Sequence, residues 1–406
     1  MATDPLPPPV RAAARVHLTD TAGALLAGYA TLHERVRALG AGPAFAGGVY
    51  THCWEVAAIH RASVLLPGVV VLPAVLAALE RGVPFERVLR AVLAGYEVTV
   101  AAGLAVGSAR LIERGWWPTG LVGPLGAAAA VCVLRGEPRS VIASAIGLAA
   151  QQAGGTVAGG SAEADGRYLL AGHAAERAAV AARAAAAGWQ GPLDILDDAR
   201  SPLRRDTLRG NHSPGFLLPE LSLKRHAAAK HLQTALDAVL AAVPPGAAVR
   251  GIEARLPARL ARVVDRPPPF GSALYALASA QYTLAVAALR GHCTPWDYTA
   301  GSDPAVLALA QEVTVVPVPA DAGWGATVIV RTDARAVSVE RKQAIGDPGE
   351  ELSDMDILTK FDTLAGRTRT GDEAQALGHD LRHGDDGRAL AALTERVAPM
   401  LTDEAG

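Results

Sequence analysis

Between Ser63 and Leu79 almost every residue is apolar, yet Pro67, Gly68 and Pro73 interrupt the run. A stretch of that length could cross a bilayer on paper. Two prolines and a glycine inside it, with Glu80 and Arg81 directly behind, argue instead for a helix that starts near Pro67 or Pro73 and is buried on most faces. The residues just before it have the opposite character: His52, Cys53, Glu55 and His60 crowd one short polar stretch. A loop rich in titratable groups and braced by a core helix is a place where an enzyme can hold side chains in fixed geometry.

The rest of the chain suits such a core. Half of its 406 residues are hydrophobic but only 4% are aromatic. Alanine fills the difference, which favours closely packed helices over sheets, and the length allows two domains. A net charge of -2 offers no electrostatic footprint for nucleic acid or an anionic membrane. Cys53, Cys132 and Cys293 form an odd, widely spaced set, as expected of a reducing compartment. The stretch MATDPLPPPV is expected to be a short extended tail rather than a secretory leader, and the location cytoplasmic.

Helical periodicity covers residues 11–39, with Asp20 or Thr21 a cap between two segments. It returns over 84–105, 123–134, 138–152 and 172–188. SPLRRDTLRGNHSPG (201–215) reads as a linker or ordered surface loop. Beyond it the pattern predicts helices at 225–243, 272–289 and 303–312, and strands at 249–256, 313–318, 326–330 and 336–340. These strands imply a small α+β domain with an antiparallel sheet. Residues 351–397 return to helix.

Several residues could carry chemistry. His52 and His60 are eight apart with Glu55 between them, so on a helix they would share a face and could ligate a metal. No third ligand has a matching spacing, and loop histidines bonded to backbone are commoner. Glu55 lies between apolar Trp54 and Val56, where desolvation would raise its pKa toward that of a general base. GGTVAGG (154–160) could wrap an anion with backbone amides, but it lacks a lysine and a preceding strand. Tyr282 falls in an apolar helical pattern and by itself reads as a core tyrosine. Of 38 basic residues only Lys224, Lys230, Lys342 and Lys360 are lysines, so any role for an ammonium has few candidates.

Taken in order, these pieces resemble the MmgE/PrpD family, which includes 2-methylcitrate dehydratase, cis-aconitate decarboxylase and iminodisuccinate epimerase. ARVHLTDTAGALLAGY resembles the family's N-terminal helix, and AFAGGVYTHCWEVAAIHRASVLLPG follows its AFxNGxxxHxLDFDDTHxxSxxHPG pattern. GYEV, RGWWPTGLVGPLGAAAA, DGRYLLAGHAA, GWQGPLDILDD, LSLKRHAAAKH and SAQYTLAVAALRG stand where the family carries similar motifs. The resemblance implies a mainly α protein: a large helical domain over 1–221, completed by 350–406, and a smaller inserted α+β lid over 222–349. It also implies a homodimer, a small-molecule substrate, no cofactor, no metal, and proton transfer beside a carboxylate.

The departures carry equal information. The first acid of LDFDD becomes Glu55 and the next two become Ala57 and Ala58. The histidine of HPG becomes Leu66, that of GFHPT becomes Trp117, and the lysine and histidine of KRLH become Arg167 and Leu170. His52, His60, Ser63, Lys224 and Tyr282 are kept. The resemblance thus assigns catalysis to Glu55, His60, Lys224 and Tyr282, and substrate binding to His52, Ser63, Leu66, Trp117 and Arg167. Arg167 can grip a carboxylate but is a poor proton donor. With two imidazoles lost, charge to offset three carboxylates is short. The expectation is a divergent lyase, isomerase or cyclase of specialised biosynthesis, acting on a more apolar, weakly anionic substrate. The alternatives are an ordinary small-carboxylate dehydratase, decarboxylase or epimerase using His52 and His60, and a non-catalytic ligand- or partner-binding homologue.

Overall fold

Helix α1 (Pro8–Arg37) is one unbroken element of 30 residues, with proline in its first turn where no amide partner is lost. The structure, a computed structural model, describes residues 5–157, 164–205, 215–244, 246–298, 303–319 and 323–402. Asp20 and Thr21 do not divide α1 as the sequence suggested. Asp20 pairs with the Lys360 ammonium, and the Thr21 hydroxyl donates to the His17 carbonyl at 2.7 Å, so neither side chain competes for the helix amides.

Six further helices follow: α2 (Pro43–His52), α3 (Gly68–Ala77), α4 (Phe85–Val106), α5 (Pro118–Arg135), α6 (Arg139–Gln151) and α7 (Leu169–Ala186). Small residues let them approach closely. A Cβ on Gly28 would lie 1.9 Å from the Tyr50 carbonyl oxygen, and one on Gly48 would lie 2.5 Å from that of Ala171. Every residue of α3 from Gly68 to Leu76 is buried, as the proline-broken apolar run implied. Helices α4 and α5 are long and apolar enough to cross a membrane, but α5 packs among α3, α4, α6 and α7.

Helix α8 (Gln233–Ala242) is shorter than the periodicity predicted. The Gln233 amide accepts from the His226 N–H and donates to the carbonyls of His226 and Ala228, folding residues 226–232 back on the helix start. Next come β1 (Val249–Pro257), α9 (Ala258–Val264), α10 (Ala273–Leu277), α11 (Ala280–Arg290), α12 (Pro304–Gln311), β2 (Val313–Val318), β3 (Ala326–Thr332) and β4 (Ala336–Arg341). The predicted helix over 272–289 is split in two because the Ser279 hydroxyl accepts from the Tyr282 amide and caps a new start.

The sheet has the order β2-β1-β3-β4 and is mixed, not antiparallel. β1 pairs with β3 in antiparallel register (Ala254 opposite Val328) but with β2 in parallel (Ile252 opposite Val313). Helices α9 to α12 form the long crossover that a parallel return requires. Ile252, Ala254, Leu256, Val328 and Val330 are buried, with α8 and α11 against the sheet. The chain then comes back to the first helices: α13 (Asp354–Ala365) starts in a Ser353–Asp356 capping box and packs on α1, followed by α14 (Gly371–His383) and α15 (Asp386–Ala391). Most of the predicted linker, 206–214, and residues 158–160 of the glycine-rich stretch lie outside the described residues.

Candidate active site

Three backbone features bring Glu55 to its partners. Helix α2 ends at His52 and the Glu55 amide closes a turn on the His52 carbonyl at 3.2 Å. Ile59 and Ser222 exchange both backbone hydrogen bonds, at 2.9 and 2.8 Å, and the Leu223 amide donates to the Gly346 carbonyl. Lys224, the next residue, is thereby carried against Glu55. On the other side, the close contact of α2 with α7 sets the turn preceding α7, residues 165–168, beside the end of α2. That turn carries Arg167.

The result is one carboxylate between two cations. Arg167 Nη2 donates to Glu55 Oε1 at 2.6 Å, and Lys224 Nζ lies 3.1 Å from Oε2. Lys224 also donates to the Glu55 main-chain carbonyl at 2.7 Å, while Lys360 donates to the next carbonyl, that of Val56, at 2.9 Å. These clamps hold Glu55 at φ +53°, a region that non-glycine residues seldom occupy and that clusters at functional sites. Lys224 is 1% exposed and the Arg167 side chain 34%, so the site opens on the arginine side.

The electrostatics reverse one sequence-based expectation. Burial alone would raise the Glu55 pKa, but Lys224 and Arg167 together hold it well below the ordinary carboxylate value. Burial lowers the Lys224 pKa, with Glu55 pulling it back up. His52 is pushed down to about 4 by burial, stacks on Trp117 with ring centres 4.9 Å apart, meets the edge of Tyr168, and leaves Nδ1 buried without a partner among the described residues. Tyr168 also lines a groove of about 380 Å³ with Leu32, Val36, Leu39 and Val49, edged by the Arg35–Asp165 ion pair. The three thiols are buried, and burial pushes Cys132 to about 11 and Cys293 to about 12, values that disfavour a nucleophilic thiolate.

The other residues singled out from the sequence are placed differently. Because α2 stops at His52, His52 and His60 do not share a helix face. His60 Nδ1 accepts from the Ser63 amide at 3.3 Å and lies 2.7 Å from the Ser63 hydroxyl, while Nε2 is 3.4 Å from Glu220. It thus faces Ser63 and Glu220. The Leu66 amide donates to Thr119. Tyr282 donates its hydroxyl to the Asp297 carbonyl at 2.9 Å and stacks on Tyr298, which in turn stacks on Trp54. It touches the residue before Glu55 through one intervening ring.

Two residues of this neighbourhood escaped sequence reasoning. His231, the last histidine of KRHAAAKH, is brought down to about 4, first by burial and then by Lys224, with Glu55 opposing; its Nδ1 is also buried and unpartnered among the described residues. The motif containing it was visible, but its nearness to Lys224 was not. Arg266 comes within electrostatic reach of Arg167 from a proline-rich loop that carries no periodicity signal.

Comparison with protein-family models supplies an independent finding. The MmgE/PrpD N-terminal domain matches residues 31–205, and the MmgE/PrpD C-terminal domain matches residues 226–379. Comparison with the sequences of curated proteins returned no match.

Proposed function

Since the chain belongs to the MmgE/PrpD family, we propose that it is an enzyme performing proton-transfer chemistry next to a substrate carboxylate, as an elimination, isomerisation or cyclisation. The observation that carries this reading is Glu55 held between Arg167 and Lys224 on a strained, buried turn.

A carboxylate bound this way is a weak base at rest, and the geometry suggests how a substrate would change that. Arg167, the more exposed cation, can exchange Glu55 for the incoming carboxylate in bidentate fashion. Glu55 then keeps only Lys224, and losing one cation raises its pKa. It takes the proton from the carbon beside the substrate carboxylate. The electron pair left behind moves onto that carboxylate, where Arg167 and the Lys224 ammonium stabilise the growing charge. For an elimination, the pair then returns to expel the leaving group, which takes a proton from Lys224. For an isomerisation, the carbon is reprotonated instead. His52 and His231, neutral and with open Nδ1 atoms, can relay these protons.

The walls favour a substrate less charged than a tricarboxylate. Trp117, which stacks on His52, is apolar where the family has an imidazole, and Leu66 replaces a second one. The orientation of His60 toward Ser63 and Glu220 favours this reading over one in which His60 is the base.

The test is proton exchange. Incubated in D₂O with 2-methylcitrate, cis-aconitate, iminodisuccinate and a panel of simpler carboxylates, the protein is expected to wash deuterium into the position beside a carboxylate of at least one. Glu55→Gln and Lys224→Met are each expected to slow that exchange at least a hundredfold. Undiminished exchange in both variants would refute the assignment.

A further inference from the structure

Arg266 has the marks of a group built for a ligand rather than for the fold. Its loop is fixed at three points: its amide donates to Gln281 Oε1 at 3.0 Å, its carbonyl accepts from the Ser279 hydroxyl at 2.6 Å, and its own Nε donates to the Val263 carbonyl at 2.9 Å. The guanidinium lies 5.6 Å from the centre of the Tyr275 ring. Yet Nη1 is buried with no partner among the described residues. The adjacent carboxylate, Asp265, is turned to the Gln281 amide at 2.6 Å.

An arginine so placed is costly. A buried donor left unpaired is unfavourable, the more so on a charged group. Here a second guanidinium, that of Arg167, repels it as well, and burial and Arg167 both lower its pKa. Loop placement follows from packing. Phe270 stands edge-on to Tyr282, Tyr282 stacks on Tyr298, and Tyr298 stacks on Trp54, so one aromatic column runs from the Arg266 loop to the residue before Glu55. Glu55 is already shared between Arg167 and Lys224, one on each oxygen.

We infer that Arg266 is a specificity-determining residue that receives a second anionic group of the substrate, so that the site takes a dianion held at one end by Arg167 and at the other by Arg266. Charge counting agrees: Arg167, Lys224 and Arg266 against Glu55 leave two positive charges, which suit two carboxylates and fall short of three. The inference rests on the proposed function of the Glu55 site and adds the number of anionic groups and the side chain that reads the second.

Calorimetric titration with malonate, succinate and glutarate, each beside its monomethyl ester, separates the possibilities. The wild-type protein is expected to bind the best-fitting diacid about tenfold or more tightly than its monoester, the scale of one charge-assisted contact. Arg266→Met should remove that preference while leaving monoester affinity unchanged, Arg266→Lys should restore part of it, and Arg167→Met should weaken both ligands. A ratio unchanged in Arg266→Met, including in a variant that is merely less stable, overturns the inference and leaves the Glu55 site standing. Failure of every acid and ester to bind the wild-type protein overturns both.

Discussion

Replacing Lys224 by methionine should expose the energetics on which the site rests. The side chain is 1% exposed and makes two contacts with one residue, 3.1 Å to the Glu55 carboxylate and 2.7 Å to its carbonyl. Removing one partner of a buried ion pair costs roughly 3–5 kcal/mol, because the charge left behind stays buried. Arg167 remains to hold Glu55, so the lower end applies, about 3 kcal/mol. Glu55→Gln in the same chain takes away the stranded charge. The double variant should then lose about 2 kcal/mol less than the sum of the two single losses, which is the coupling a double-mutant cycle reads. Urea titrations of the four proteins at pH 7.5 measure it. Single losses that add to within about 0.5 kcal/mol would show that the two groups do not share an energetically meaningful contact, and the reasoning would fail.

Acid sensitivity is expected from the buried histidines. His17 and His52 are held neutral with pKa values of about 4, burial being the main cause, against an unfolded value of 6.5. Between these values the unfolded chain binds protons that the native state refuses, so stability falls as pH drops from about 6.5 to 4. By pH 5 the two together should cost about 4 kcal/mol. Glu55, with its depressed pKa, contributes fully above its unfolded value and loses its contribution only below it, so it does not mask this slope. Equal urea midpoints at pH 7.5 and pH 5 would contradict this. Gly28→Ala should destabilise the protein by about 3 kcal/mol or more, since the new Cβ would fall 1.9 Å from the Tyr50 carbonyl oxygen and α1 must shift from α2. An unchanged unfolding midpoint would show that the contact can relax.

Local features of the fold were readable and non-local ones were not. The buried helix α3 follows from its apolar run and the placement of Pro67 and Gly68, and the four strands follow from β-branched segments between turn residues. Their pairing does not, because parallel β2 depends on a crossover whose course no local pattern records. The same distinction governs the site. Glu55 was marked by its polar neighbourhood, but the direction of its pKa shift was misjudged because Trp54 and Val56 are near in sequence. The deciding charges, Arg167 and Lys224, are 112 and 169 residues away. Arg266 had no signal at all, since an unpaired guanidinium is a property of the packed molecule.

The bond from Lys360 to the Val56 carbonyl spans 304 positions of the chain. A ribosome must therefore reach Lys360 before the turn bearing Glu55 can be locked from that side. Nascent or prematurely ended chains can gather their early helices, but they lack one of the two ammonium clamps on this turn. Any catalytic competence that depends on the turn thus waits for α13.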